Sequence, residues 1–273
     1  MKGIYKGDCM YKLNNEINIS ESMIVLDLDK TLLNSENQIS EYTVNVLKKY
    51  KDCGGRIVVA TGRAITRSRK YVEQIEACGL ITLNGSVTYY ENEIIAQTPI
   101  DKEKVYDMVQ RLMAIDGMSM AVCYPDYMIT SNPKFAVPGV NDYNDMKQFS
   151  LDEIQNIKAF SSNYKAMDAI DYDSYGCRKI TSQKEEGFHV IACKNVDKIN
   201  GIKVLCNHLG INIKNTIAFG DDYNDLQMLK QCGIGVAMAN ASEMVKDEAN
   251  TVTLSNNEDG VGKWLNKYFN LNI

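Results

Sequence analysis

The chain has 273 residues, 45% of them hydrophobic and 24% charged, which is enough to build a substantial buried core. Its formal net charge of −5 argues against nucleic acid or an anionic membrane as a partner, because both normally require a basic surface. No apolar run approaches the roughly 18–20 residues of a membrane span, and the N-terminal segment lacks the apolar stretch of a signal peptide. We therefore expect a cytoplasmic protein.

The cysteines and histidines give no sign of a zinc site or of a triad enzyme. The eight cysteines are scattered and form no C-x-x-C pair, so reduced structural thiols are expected rather than disulfides. The two histidines, His189 and His208, stand beside no candidate nucleophile, which disfavours a Ser-His or Cys-His arrangement.

The first part of the chain alternates between short apolar runs and amphipathic segments, after a polar, aperiodic extension at residues 1–21. Ser40 can cap a helix that reaches Cys53, and Gly54 stands just past its end. The predicted elements are strands at 23–26, 56–60 and 80–83 and helices at 41–53 and 64–78. Regular alternation of strand and helix predicts an α/β fold with a doubly wound, Rossmann-like parallel sheet.

The pattern changes after residue 85. Two alternating segments around a polar turn at Glu91 and Asn92 predict an antiparallel hairpin. The predicted elements are strands at 86–90, 93–97, 118–123, 176–182 and 187–192 and a helix at 101–115. We therefore expect residues 86–195 to form an α+β domain inserted into the core.

The α/β alternation resumes near residue 197. The predicted elements are helices at 197–209, from about 224 and from about 242, and strands at 216–219, 234–238 and 251–254. The core is therefore expected to be discontinuous, with residues 22–85 and 196–273 on either side of the insertion.

An acidic pair follows the first predicted strand. Asp27 and Asp29 stand two residues apart at a strand end, where ligands of open α/β sheets bind. One carboxylate there can act as a nucleophile while the other carries a proton, if their surroundings separate their pKa values. A solvated acidic turn is the alternative, and this pattern alone does not decide between the two.

A second acidic cluster, Asp221, Asp222 and Asp225, follows the predicted strand at 216–219. Mg²⁺ prefers oxygen ligands, so carboxylates here could complete a magnesium site with the first pair. Negative charge is also favoured at a helix N-terminus, but that explains one aspartate better than three. Two acidic strand ends together favour the metal site.

Two further segments suit a phosphate group. Thr61 and Gly62 end the second predicted strand, where a hydroxyl and free N–H groups can cradle phosphate. Lys198 begins the helix at which the core resumes, and a fixed ammonium there can stabilise a transferring phosphoryl group. Each of these has an adequate structural explanation when taken alone.

Taken in order, the four segments resemble the four motifs of the haloacid dehalogenase superfamily. The resemblance extends over residues 22–269. It points to the Cof-type phosphatase branch, in which a large cap is inserted between the second and third motifs. Residues 83–85, 235–241 and 255–261 also resemble segments of that branch.

The resemblance implies a role for each acidic residue. Asp27 would be the nucleophile that attacks phosphorus and would also bind Mg²⁺. Asp29 would protonate the leaving oxygen, then activate water, and its backbone carbonyl would be a metal ligand. Asp221 would be the metal ligand of the last motif, supported by Asp225.

The resemblance also implies contacts to the phosphoryl group. Thr61 and Lys198 would hold its oxygens. Further phosphate contacts would come from Leu28, Gly62, Asn84, Asn224 and Asn240.

The chain departs from the family pattern at two motifs. Lys30 stands where glycine is usual in the first motif, which would change the turn rather than the chemistry. In the third motif Ile199 follows the lysine where glycine is frequent, and Lys194 and Lys203 are alternatives to Lys198.

The resemblance therefore implies magnesium-dependent hydrolysis of a small phosphorylated metabolite, such as a sugar phosphate, through an aspartyl-phosphate. A phosphomutase would use the same nucleophile, and a non-catalytic metabolite-binding regulator would keep the fold alone. The sequence does not identify the substrate and does not distinguish a monomer from a homodimer.

Overall fold

The structure is a computed structural model that describes residues 17–130, 150–180 and 187–273 and the backbone of residues 141–142. Most of the predicted extension, residues 1–16, and the end of the predicted strand at 176–182 lie outside the described residues. Residues 17–21 include a short 3-10 turn, and Ile17 and Ile19 pack against the core. Among the described residues no helix has the length and apolar character needed to cross a membrane.

The first part of the core matches the predicted alternation. Its elements are β1 (Met23–Leu26), α1 (Glu41–Asp52), β2 (Arg56–Ala60), α2 (Ile65–Gln74), β3 (Gly79–Thr82), β4 (Val87–Tyr90) and β5 (Glu93–Gln97). Ser40 caps α1, because its hydroxyl accepts a hydrogen bond from the N–H of Thr43 at 3.1 Å.

An α+β unit follows. Its elements are α3 (Lys102–Met113), β6 (Ser119–Cys123), β7 (Met128–Thr130), β8 (Asn141–Asp142), β9 (Asn156–Phe160), α4 (Tyr164–Asp168), β10 (Cys177–Ile180) and β11 (Phe188–Cys193). These strands form a second sheet in the order β10-β11-β9-β6-β7-β8. Apolar side chains of α3 pack on one face of this sheet in a core cluster of their own.

The chain then returns to the core sheet. The elements are α5 (Lys198–Leu209), β12 (Thr216–Gly220), α6 (Leu226–Gln231), β13 (Ile234–Ala237), α7 (Glu243–Glu248), β14 (Thr251–Val252) and α8 (Gly260–Phe269). Gly210 ends α5 in the left-handed conformation, as expected for a glycine just past a helix.

The core sheet has the order β14-β13-β12-β1-β2-β3-β4-β5. β1 pairs in parallel with both β2 and β12. Alternate residues of β1 face opposite sides: Ile24 and Leu26 join the apolar cluster under α1, α2 and α8, and Met23 and Val25 join the cluster under α5, α6 and α7. The predicted α/β fold with a doubly wound parallel sheet is therefore confirmed.

The predicted hairpin lies in the core sheet and not in the inserted unit. β4 pairs antiparallel with β3, and β5 pairs antiparallel with β4, so both extend the core sheet at its edge. The expected boundary at residue 86 therefore differs from the sheet pairing. Alternation of apolar and polar residues predicts a half-buried strand, but it does not tell which sheet the strand joins. We propose that the inserted unit begins near residue 100.

Candidate active site

The carboxyl ends of β1, β2 and β12 meet at one edge of the core sheet. Leu26 of β1 is in register with Val59 of β2 and with Phe219 of β12. The backbone leaves each of these strands one or two residues after this register. Asp27, Thr61 and Asp221 therefore lie at neighbouring positions. The N–H of Asp27 donates to the carbonyl of Phe219 at 3.1 Å and so continues the ladder into the loop.

Lys198 lies at the centre of this edge. Its side chain is fully buried, and its Nζ donates to Oδ1 of Asp27 and to Oδ1 of Asp225, each at 2.6 Å. Of the two alternatives, Lys203 donates to Gln231 at 2.7 Å, and Nζ of Lys194 lies 3.9 Å from a carboxylate oxygen of Asp173. The structure therefore brings Lys198 to the acidic cluster, and each alternative lies beside a different residue.

Asp225 is held by the backbone before it. Its Oδ2 accepts hydrogen bonds from the N–H groups of Asp221 and Asp222 at 3.0 and 3.1 Å. The preceding Gly220 allows this, because a Cβ there would lie 2.5 Å from the Cβ of Asp225. Asp221 in turn accepts a hydrogen bond from the hydroxyl of Thr31 at 2.9 Å.

Three carboxylates therefore converge on one place. Oxygen atoms of Asp27, Asp221 and Asp225 lie within 4.8 Å of one another, and all three residues are buried. Burial and the neighbouring carboxylates of Asp225 and Asp221 raise the pKa of Asp27 well above its usual value, although Lys198 opposes this. The same causes, burial first and Asp225 second, raise the pKa of Asp221 to about 7.

The donor set fits a hard divalent cation. It consists of carboxylate oxygens without nitrogen or sulfur, which suits Mg²⁺. Burial alone would lower the pKa of Lys198, but Asp225 and Asp27 outweigh burial and raise it, so this side chain stays charged. One buried ammonium facing three carboxylates leaves negative charge that a divalent cation would offset.

The carboxylate of Asp29 faces a different partner. Nε and Nη2 of Arg63 donate to its two oxygens at 2.9 and 2.5 Å, which is a bidentate pair. The Arg63 side chain is only 13% exposed, whereas that of Asp29 is 45% exposed. Sequence reasoning gave Arg63 no role, although its place in the second motif was the signal that could have found it.

The second motif is joined to the loop after β3. The hydroxyl of Thr61 accepts from the N–H of Arg63 at 3.2 Å, and the carbonyl of Thr61 accepts from the N–H of Asn84 at 3.0 Å. The side chain of Asn84 accepts from Nδ2 of Asn224 at 2.8 Å. A Cβ on Gly62 would lie 3.0 Å from the same Asn84 oxygen, so this close approach favours glycine.

Leu28 and Asn240 sit differently from the other predicted phosphate contacts. The side chain of Leu28 is fully buried in the apolar core, so any phosphate contact would come from its backbone. Asn240 donates through Nδ2 to the carbonyl of Lys30 at 2.9 Å and accepts from the N–H of Asn256 at 3.1 Å.

Comparison with known proteins decides the family. Residues 24–265 match the family described as haloacid dehalogenase-like hydrolase. The chain belongs to this family. The predicted resemblance is therefore confirmed, over nearly all of the described core and the unit inserted into it.

Two curated relatives that match over most of their own length carry phosphatase names. The chain is 27% identical over 274 residues to the 5-amino-6-(5-phospho-D-ribitylamino)uracil phosphatase YitU of Bacillus subtilis, covering 91% of this chain and 98% of the relative. It is 30% identical over 253 residues to the phosphatase YcsE of the same organism, which has the same named substrate, covering 88% and 93%.

A solved structure with this architecture is the HAD subclass IIB sugar phosphatase BT4131. It superposes with a TM-score of 0.77 at 25% identity and covers 92% of this chain and 99% of its own. The family, the relatives and this structure agree on the reaction class. The protein is an enzyme, a haloacid dehalogenase-type phosphatase that acts on small phosphorylated substrates.

Proposed function

We propose that the protein hydrolyses a phosphomonoester of a small polyhydroxylated metabolite, with Mg²⁺, through an aspartyl-phosphate on Asp27. The observation that carries this proposal is the buried Lys198, which bridges Asp27 and Asp225 at 2.6 Å beside a third carboxylate. A solvated acidic turn would not bury three carboxylates around one lysine. The arrangement supports binding of a dianionic phosphate group together with a cation.

The first half of the proposed reaction transfers phosphorus to the protein. One carboxylate oxygen of Asp27 forms a bond to phosphorus while the bond from phosphorus to the ester oxygen breaks. Asp29 in its protonated form gives its proton to that oxygen, which leaves as an alcohol. Thr61 and Lys198 hold the phosphoryl oxygens, and backbone N–H groups at Leu28 and Gly62 add further donors.

The second half returns the nucleophile. Asp29, now ionised, accepts a proton from water as the water oxygen bonds to phosphorus, and the bond from Asp27 to phosphorus breaks. The bidentate pair with Arg63 favours the ionised form of Asp29 that this half requires. The proton transfer of the first half therefore requires one oxygen of Asp29 to leave Arg63. Mg²⁺, held by Asp27, Asp221 and the backbone carbonyl of Asp29 with Asp225 beside them, would supply positive charge that attracts the phosphate and stabilises its added charge.

The inserted unit supports a small substrate. It contains a second sheet of its own. A unit of this kind placed over the site would exclude bulk water and macromolecular substrates. The relatives named for a phosphorylated ribitylaminouracil and the structure named for a sugar phosphate support a polyhydroxylated leaving group.

The test is phosphate release from sugar phosphates, ribityl phosphates, nucleotides, flavin mononucleotide and pyridoxal phosphate, with Mg²⁺ and with EDTA. We expect release that requires Mg²⁺ and is absent in Asp27→Asn, and acid-quenched wild type should carry one phosphoryl group on the peptide containing Asp27. Asp52→Asn, an exposed aspartate of α1, is the control and should behave like the wild type. Release that Asp27→Asn retains would contradict the assignment of the nucleophile.

A further inference from the structure

Two asparagine side chains bind the turn that follows Asp29, and a third, Asn257, binds only Ser35 at the far end of the loop. Nδ2 of Asn240 donates to the carbonyl of Lys30 at 2.9 Å, and Nδ2 of Asn256 donates to the carbonyl of Leu33 at 2.8 Å. Asn257 accepts from the N–H of Ser35 at 2.9 Å. The asparagines come from the loops after β13 and β14, so two separate loops form hydrogen bonds to the backbone of residues 30–35.

The loop contains a residue in an unfavourable conformation. Lys30 has φ +61°, in the left-handed region that side chains with a Cβ disfavour. Glycine would adopt this conformation readily. Both Lys30 and Asn240 are exposed, whereas Leu28 and Leu32 on either side of the turn are buried in the core, and the N–H of Leu32 donates to the carbonyl of Asp27 at 3.2 Å. Packing and backbone bonds therefore hold the flanks of the turn. The bond from Asn240 acts on the carbonyl of the strained residue itself.

The conformation of this loop determines where the reacting groups lie. Lys30 directly follows Asp29, and the hydroxyl of the next residue, Thr31, donates to Asp221 at 2.9 Å. A shift of the turn would therefore move Asp29 relative to Asp27 and loosen the bond to Asp221. Displacements of about 1 Å at reacting groups can cost roughly 100-fold in rate.

We propose that Asn240 is a positioning residue that, joined to Asn256 by a 3.1 Å hydrogen bond, keeps Lys30 in the left-handed conformation and so sets Asp29 against Asp27. The proposal rests on the proposed phosphatase mechanism. Asn240 does not touch the reacting groups in this arrangement; it acts through the Lys30 carbonyl. A glycine at position 30 would need this support less.

The test is a double-mutant cycle on Asn240→Ala and Lys30→Gly, with p-nitrophenyl phosphate and Mg²⁺. We expect Asn240→Ala to lower kcat about tenfold and to change KM by less than about twofold. In the Lys30→Gly background, Asn240→Ala should lower kcat by less than about twofold, because glycine adopts the left-handed conformation without the hydrogen bond from Asn240. Asn257→Ala, which loses only contacts to Ser35, is the control and should keep kcat within about twofold of the wild type.

Hydrogen exchange of the peptide covering residues 27–37 gives a second readout that needs no turnover. Asn240→Ala should speed exchange about tenfold, and Lys30→Gly should restore slow exchange in the double variant. An unchanged exchange rate, a rise in KM with kcat intact, or an equal loss of kcat in both backgrounds would overturn the proposal. If the wild type releases no phosphate, the proposed mechanism fails, and the exchange data still decide whether Asn240 holds the turn.

Discussion

The carboxyl edge of the core sheet and the sheet of the inserted unit each contain a fully buried polar side chain, and these two side chains differ in their hydrogen bonds. At the core edge the buried ammonium of Lys198 has two carboxylate partners at 2.6 Å. On β9, near the middle of the other sheet, Asn156 is equally buried, yet neither atom of its amide has a hydrogen-bond partner among the described residues. The core site is thus preorganised by its own side chains, whereas Asn156 of the inserted unit is buried without a hydrogen-bond partner among the described residues.

This difference fits the chemistry that we propose for the core edge. Fixed charges that are paired before substrate arrives cost no reorganisation during the reaction, which suits the step on phosphorus that all substrates share. A buried polar group without a hydrogen-bond partner carries a stability cost. Arg178 of β10 connects the two regions, since it donates to the carbonyl of Val196 at 2.5 Å and pairs with Asp197, directly before Lys198.

Removal of the buried ammonium should have the largest effect. In Lys198→Met, two carboxylates lose their cation, so we expect kcat to fall by about 1,000-fold or more. The free energy of unfolding should fall by about 3–5 kcal/mol without Mg²⁺, because the change leaves buried charge unpaired. Denaturation with and without Mg²⁺ checks this.

The control for that experiment is Lys203→Met, on the same helix. Lys203 is exposed and donates to Gln231, so its loss should change the free energy of unfolding by less than about 0.5 kcal/mol. If both lysine variants were equally stable and active, the core edge would not be the preorganised region that its geometry indicates.

A methyl group at Gly220 should damage the core site next most strongly. In Gly220→Ala the new Cβ would overlap the side chain of Asp225, which must then move away from Lys198. We expect kcat to fall about 100-fold. Gly210→Ala is the matched control, because a Cβ there meets no atom within 4 Å, so kcat should be unchanged despite its φ of +66° and a stability loss of about 1 kcal/mol.

The inserted unit should respond in the opposite direction. In Asn156→Val the unpartnered amide is replaced by an apolar strand former between Cys123 and Ala192, its buried neighbours in register. We expect the free energy of unfolding to rise by about 1 kcal/mol. Asn163→Val, at an exposed site, should change it by less than about 0.5 kcal/mol. A clear loss of stability in Asn156→Val would remove the contrast between the two regions.

Sequence reasoning succeeded where local signals were strong. The apolar run at 56–60 between Gly55 and Thr61 gave β2 with its observed bounds, and Ser40 with Gly54 bracketed α1. It failed where the signal was mixed: β9 carries Asn156 and Lys158 among its apolar residues, and α8 begins with two glycines within three residues. These elements are fixed by neighbours distant in sequence, which no local pattern reveals.

The candidate site shows the same limit. Acidic residues at two strand ends predicted a meeting point, because the carboxyl ends of parallel strands share an edge. The choice of Lys198 came from a resemblance, since no spacing rule brings a helix start to Asp27 and Asp225. The bidentate pair of Arg63 with Asp29 was missed because it depends on two side-chain rotamers.

The smallest expected effect concerns pH and a histidine of the inserted unit. His189 is buried, with Nδ1 3.2 Å from the hydroxyl of Tyr172 and Nε2 3.2 Å from a carboxylate oxygen of Asp168 and 3.4 Å from Nζ of Lys179. Burial and then Lys179 lower its pKa, although Asp168 opposes them. The folded state therefore binds a proton less readily than the unfolded state, so stability is full above the unfolded pKa of about 6.5 and is lost as the pH falls through the lower folded pKa.

Thermal unfolding of the wild type and of His189→Gln between about pH 7.5 and about pH 5.5 tests this. The wild type should lose about one or two degrees more in Tm over this range than His189→Gln does. His208→Gln, at an exposed position in the core, should follow the wild type. A loss that is the same in all three proteins would show that His189 is not the titrating group. The carboxylates around Lys198 would not explain it either, because their raised pKa values favour the folded state as the pH falls.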